Sequence, residues 1–316
     1  MSAAEVYQTV STAWTERRLE NVLERQKQLA ALHSNVKAQN EALTSAIEQD
    51  LSVTRANAAE EVRVVLDAVK SLYDELDFPA TLRQEQMIKK GSSVSQNLVE
   101  IGPSLIEPTA SCPLASSLVP LAASVAAGSA TILLLNPTTP TTNTLLQKLV
   151  HDSFDYEAIA VAPDSSTETK QHLSSRYFAV AVLQDLQSTR ETAESLTSAN
   201  PTIRILEPST GLPAVFVDRS TSDLQAVAAH INRSIIKPTR QNTSRVPHLC
   251  FVDESIIDKL EALLRTREQG PLSDAPEKDV DIFQGLQRSL KTLFPATFKQ
   301  HRSRSLPALI SLSNSE

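Results

Sequence analysis

Few residues in this chain have the type and placement to do covalent chemistry. A cysteine attacks only as its thiolate, and there are two, Cys112 and Cys250. Cys250 lies in the apolar run LCFV and reads as core. Cys112 stands directly before Pro113, a residue suited to the first position of a helix, and reads as a small buried residue there. Two cysteines are too few for a disulfide framework or a zinc cage. His33, His151, His172, His230, His248 and His301 show neither metal-ligand spacing nor an acidic partner at a helical step. What remains is a set of polar residues that directly follow apolar runs: Asn136 after TILLL, Gln184 after FAVAVL and Glu207 after IRIL. Open parallel sheets bind ligands beyond the carboxyl ends of their strands, so these three sit where a cofactor would.

Elements that could position them are legible from periodicity. Between Ala13 and Leu51, Leu29, Leu32, Val36, Leu43 and Ile47 share one face, which predicts a long amphipathic helix. Val62, Val65, Leu66, Val69, Leu72 and Leu76 predict a second helix that stops at Phe78-Pro79, and the polar stretch Thr81 to Ser95 reads as a connector. From Ile106 short apolar strands alternate with helices, the mark of a mostly parallel sheet with crossover helices. The candidate strands are Thr131 to Leu135, Ala158 to Ala162, Phe178 to Leu183, Ile203 to Leu206 and Ala214 to Val217. The candidate helices are Leu114 to Ala127, Thr142 to His151, Ser166 to Ser174, Ser188 to Ser198 and Ser222 to Ile235. A strand from His248 to Val252 then leads into a helix from Glu254 to Arg267. Scattered charge, Pro and Ser over Glu268 to Glu316 predict a largely unordered tail.

Composition excludes several classes. The 316 residues and 41% hydrophobic content can supply two cores. A net charge of −7 and the absence of a basic patch argue against a nucleic-acid partner. The basic run Lys299 to Arg304 reads as a solvated tail. The longest apolar stretches are broken by Ser and Gly and are too short to span a bilayer. No secretory leader pattern opens the chain, so a cytoplasmic protein is expected. Glycine is scarce, 6 residues, against a usual share of about 7%.

Several segments resemble the aldehyde dehydrogenases, closest to the short class 3 type. PLAASVAAGSATILLLNP is similar to that family's P-L-x-x-A-x-A-A-G-N-x-x-V-L-K-P, and Ala46-Ile47-Glu48-Gln49-Asp50-Leu51 to the end of its first helix. Ile205 to Pro213, ILEPSTGLP, falls on L-E-L-G-G-K-S-P, and Val246-Pro247-His248-Leu249 on the A-P-x-Y that follows the catalytic cysteine. The resemblance runs from about Ala13 to about Ile310. It implies an α/β fold with a Rossmann-type parallel sheet, flanking helices, an N-terminal helical segment and an incomplete catalytic domain, since family members continue well beyond this terminus. The domains expected are 1–95, helices of the cofactor domain; 96–220, the nucleotide-binding domain; and 221–316, a truncated start of the catalytic domain.

The family's chemistry needs a cysteine thiolate to attack the aldehyde, an asparagine amide and a backbone N–H for the oxyanion, and a glutamate to activate water. It also uses a lysine on the adenosine ribose and a G-S-x-x-x-G turn for the pyrophosphate. By the resemblance the nucleophile position falls on Ser244, the oxyanion asparagine on Ser111, the ribose lysine on Asn136 and the G-S pair on Gln184-Asp185. Cys112, beside Ser111, could serve as a displaced nucleophile. Glu207 alone keeps a residue of catalytic type, the general base. An aspartate in the phosphate turn repels phosphate where glycine would permit close approach. The expectation is therefore a protein inactive or impaired in NAD(P)-dependent aldehyde oxidation, with no or weak NAD(P) binding, kept as a scaffold or partner-binding protein. The alternative is an enzyme of specialised metabolism on the same fold, acting in a non-redox step through Ser111, Cys112, Glu207 and Ser244, or retaining residual NAD(P)-dependent oxidation. Expected partners are a second copy, an intact relative, or a small aldehyde or metabolite, with no membrane.

Overall fold

A short strand that the sequence reading passed over sits at the centre of the sheet. β1 is Ser104–Glu107, four buried residues held between Pro103 and Pro108. In this computed structural model, residues 2–91, 102–164, 166–185, 189–207, 214–236, 249–265, 298–299 and 308–312 are described. Two compact units divide the chain, Met1–Pro208 and Ser209–Glu316.

The first unit holds an all-parallel sheet in the order β3-β2-β1-β4-β5. Its other strands are β2 Thr131–Leu133, β3 Ile159–Val161, β4 Val180–Leu183 and β5 Arg204–Leu206. They are the expected strands, shortened by one or two residues. The linking helices are α6 Pro113–Ala126, α7 Pro140–Ser153, α8 Thr167–Ser174 and α9 Thr189–Ala199. The chain steps outward from β1 through β2 to β3, then crosses back to β4 and β5, so the topological switch lies between β1 and β4. Successive residues of a strand face opposite sides, and both sides are buried. Ile106, Leu133 and Ile159 pack under α6 and α7, whereas Leu105, Ile132, Ala181 and Leu183 pack against α1 and α8 with Val6, Val10, Leu173 and Leu196. This two-sided burial explains why the strands read as unbroken apolar runs.

A helical layer lies over α6 and α7. The predicted single helix from Ala13 to Leu51 is three: α1 Ala3–Thr15, α2 Val22–Ala38 and α3 Asn40–Leu51. Arg17 in a positive-φ turn and the Asn21 N-cap end and restart it, and Gln39 breaks it again. The apolar period continues across both breaks because all three pieces face cores. α4, Arg55–Glu75, packs on α6 and α2. The predicted connector after it begins as a helix, α5 Phe78–Lys89, with the Asp77 side chain capping Ala80 N–H and Pro79 in its first turn. Its polarity is that of an exposed helix.

The second unit has a sheet in the order β6-β7-β9-β8, with β6 Ala214–Val217, β7 Leu249–Asp253, β8 Phe298–Lys299 and β9 Ala308–Leu312. β6 was expected in the first sheet; its backbone pairs instead with β7. β8 and β9 lie within the tail that was expected to lack order. α10, Leu224–Ile236, and α11, Ile257–Arg265, cover one face of this sheet through Ala228, Ile231, Ile257, Leu260 and Leu264 against Val217, Cys250 and Val252. Among the described residues, no helix is long and apolar enough to cross a membrane.

Gly102 starts β1 with φ +115°, a region side chains rarely adopt, and a Cβ there would lie 3.0 Å from Ala179 Cβ and 3.6 Å from the Trp14 ring. Gly102→Ala is expected to cost more than about 1 kcal/mol. A melting curve should show a Tm at least about 2 °C below the wild type; an unchanged Tm contradicts this reading of β1's entry.

Candidate functional site

The carboxyl edge of the first sheet is where its loops could hold a ligand, and helix α6 starts there. Pro113 is at its first turn and Cys112 is its N-cap, with no side-chain cap bond from Cys112 itself. The cap comes from 53 residues away. Glu61 on α4, 2% exposed, accepts hydrogen bonds from Leu114 N–H at 2.9 Å and Ala115 N–H at 3.0 Å through one carboxylate oxygen. A negative group at this end also meets the favourable end of the helix dipole.

That arrangement determines the state of Cys112. The thiol is pushed up to about 12, first by burial and then by the Glu61 carboxylate, with hydrogen bonds to Ser111 and Ser116 pulling weakly the other way. Ser111 is half-buried, and its hydroxyl lies 3.2 Å from the Thr109 hydroxyl. Cys250 is fully buried in the second unit, and burial alone pushes its thiol up to about 12. Ser244 lies outside the described residues, as does the rest of 237–248. Glu207 follows β5, an outer strand of the sheet, and is exposed.

The two residues expected on the cofactor side are both engaged within the protein. Asn136, almost fully buried, accepts at its side-chain oxygen from Thr138 N–H at 3.0 Å and from the Thr138 hydroxyl at 2.7 Å. Its carbonyl accepts from Asn143 Nδ2 at 2.6 Å. This closes the turn into α7, whose first N–H groups are taken by Asp50 of α3: Thr141 N–H donates to Oδ1 at 3.2 Å and Thr142 N–H to Oδ2 at 2.7 Å.

Gln184 has a different task. Pro120 sits inside α6 and has no N–H for the carbonyl of Ser116, four residues before it. Gln184 Nε2 donates to that carbonyl at 2.7 Å, and Gln184 N–H donates to the Glu107 carbonyl at 2.9 Å. The internal proline was a signal, present in the sequence, that some donor must reach Ser116.

Two residues with no sequence signal complete the edge. Glu107, the last residue of β1 and 2% exposed, faces α8, and Lys170 Nζ of α8 donates to its Oε1 at 2.6 Å. The pair lies at the switch between β1 and β4, where Glu107 is in register with Leu183. A shallow groove of about 480 Å³ is lined by α3 and α7 residues, among them Ala42, Ala46, Thr141 and Leu145, and by neither Glu107 nor Lys170. No cluster of three His, Cys, Asp or Glu able to hold a metal occurs among the described residues.

A parallel sheet with its order reversing at β1 and β4, covered by helices on both faces, is a doubly wound α/β fold. Residues 1–282 match the model of the aldehyde dehydrogenase family, and the chain belongs to that family. Similar solved structures include AldH of Staphylococcus aureus in a substrate-bound state, with TM-score 0.70 and 17% identity, covering 99% of this chain and 71% of that one. An NAD-dependent benzaldehyde dehydrogenase from Corynebacterium glutamicum gives TM-score 0.73 at 14% identity, with 98% and 71% covered. For an NADP dependent enzyme of E. coli the values are 0.66 and 15%, with 84% and 56% covered. At such identities the likeness establishes the fold. No curated protein sequence matches the chain.

Two outcomes test the edge. Burial tends to raise the Asp50 carboxyl, but hydrogen bonds from Thr142 and Thr141 outweigh it and hold the group below its ordinary value. A carboxyl lowered by folding contributes stability in full above its unfolded value, about 3.9, and loses it as pH falls through the folded value. Asp50→Asn should therefore melt below the wild type at pH 7, with the gap closing below about pH 4; a gap independent of pH contradicts the assignment. Iodoacetamide should label neither Cys112 nor Cys250 appreciably in the native protein at pH 8 and both rapidly in denaturant, read by mass spectrometry; rapid native labelling of Cys112 contradicts the burial and charge argument.

Proposed function

We propose that this member of the aldehyde dehydrogenase family is inactive or strongly impaired as an NAD(P)-dependent aldehyde oxidoreductase and serves as a scaffold or partner-binding protein. The observation that carries this is the state of Cys112. The thiol beside the oxyanion position is buried at a helix N-terminus that the Glu61 carboxylate caps, and burial and that carboxylate both disfavour its thiolate. Ser244, at the nucleophile position by resemblance, is an alcohol and needs an adjacent base to attack a carbonyl. Glu207 and Ser111, at the general-base and oxyanion positions by the same resemblance, then have no covalent intermediate to act on. In this reading the first unit is the cofactor domain and the second the start of a catalytic domain.

The cofactor side supports the same reading. Bound NAD(P) would supply the hydride acceptor. The residues at its crevice fit it poorly, since Asn136 and Gln184 spend their side chains on the loop into α7 and on the Ser116 carbonyl. Partners proposed for the chain are a second copy or an intact relative, because a sheet whose described helices cover one face leaves Phe216 72% exposed, stacked on Phe251 at 4.8 Å.

The test is production of reduced nicotinamide from NAD and NADP with a panel of aliphatic and aromatic aldehydes. No turnover above about 0.01 s⁻¹ is expected, against an ordinary kcat of about 10 s⁻¹. Sustained turnover near the ordinary value with any aldehyde overturns the proposal.

A further inference from the structure

We infer that the dinucleotide crevice of this sheet is closed from within, by the Glu107–Lys170 ion pair on one side of the β1–β4 mouth and by Gln184 on the other. The inference rests on the reading that cofactor binding is impaired, and it names the groups responsible.

The switch point between β1 and β4 is where a nucleotide's phosphates would lie in such a sheet, beyond the strand ends and against a helix N-terminus. Strand alternation turns Glu107 and Gln184 to opposite faces. Glu107 follows Leu105 onto the α8 side, and Gln184, next to Leu183, turns to the α6 side. The mouth is thus bounded on both faces by side chains already bonded within the protein. A carboxylate at the strand end repels phosphate, and the ammonium that could attract it is held by that carboxylate at 2.6 Å. Recruiting Lys170 to a phosphate would break an ion pair whose carboxylate is buried, which is costly. Moving Gln184 aside would strip the Ser116 carbonyl of the donor that Pro120 cannot provide. The first N–H groups of α6 and α7, two of the helices that start at this edge, are taken by Glu61 and Asp50. Among the described residues, four separate internal contacts therefore occupy polar groups of this edge.

The experiment measures AMP binding by calorimetry on the full chain. The wild type should show no saturable binding up to about 5 mM AMP. The double variant Glu107→Ala with Lys170→Ala removes both charges and opens the space, and should bind AMP at least about tenfold more tightly than the wild type. Glu107→Met with Lys170→Met removes the charges but keeps the bulk, and should gain less than the alanine variant. A folded alanine double variant, shown by circular dichroism, with no gain overturns the inference, as does a wild type that binds AMP as tightly as that variant. Should the alanine variant fail to fold, reductive methylation of the wild type decides. Labelling of Lys170, followed by mass spectrometry, should be unchanged by AMP, and protection by AMP overturns the inference. Turnover with aldehydes would defeat the proposed function, whereas an inert wild type whose opened variant gains nothing would defeat this inference alone.

Discussion

Every helix that starts at the carboxyl edge of a parallel sheet exposes N–H groups that its own turns cannot satisfy. In this protein the helical layer satisfies those of α6 and α7. Glu61 of α4 caps α6, and Asp50 of α3 caps α7. Each contact also fixes the layer against the sheet, since the partners are 53 and 92 residues apart in the chain. Burying a carboxylate costs several kcal/mol, and hydrogen bonds to a charged acceptor return about 1.5–3 kcal/mol each. The net gain is modest, but losing either carboxylate would leave N–H groups at the mouth without acceptors, so the packing of α3 and α4 depends on keeping them.

The same donors are what a nucleotide-binding sheet offers to phosphate, so holding the fold and holding a ligand compete for one set of groups. At the starts of α6 and α7 these donors are taken inside the protein. Pro120 adds a demand of its own by freeing the Ser116 carbonyl, and Gln184 answers it with a side chain that a glycine could not provide. Lys170 then donates to Oε1 of Glu107 at the end of the central strand. Cys112 shares the electrostatics of this edge: the carboxylate that completes α6 also disfavours the thiolate. The capping of α6 and the disfavouring of the Cys112 thiolate follow from one arrangement.

Much of the first sheet was legible because its strands are buried on both faces and its helices carry clean apolar stripes. Leu114, Leu118, Leu121 and Val125 mark α6 at helical spacing, and all are fully buried. β1 escaped notice because SLIE is short, half polar and flanked by prolines, so neither period has room to show. β6 was placed in the wrong sheet because AVFV suits either; its pairing with β7 is a property of the chain's path. The N-terminal breaks at Arg17 and Gln39 leave the apolar period intact and so leave no mark on it. At the candidate site, Asn136 and Gln184 were found from position, but their tasks were not, since each depends on a partner brought near by folding. Glu61 and Lys170 had no local signature at all: a Glu and a Lys on amphipathic helices read as solvated until the partner 53 or 63 residues away is known.

The most direct measurement of the central claim is a calorimetric titration of the wild-type protein with NAD, which needs no guess of substrate. Internal occupation of the edge predicts no saturable heat up to millimolar NAD. One-site binding with a Kd in the low micromolar range would contradict it, because no dinucleotide could reach that affinity while Glu107, Lys170, Gln184, Glu61 and Asp50 keep the contacts described.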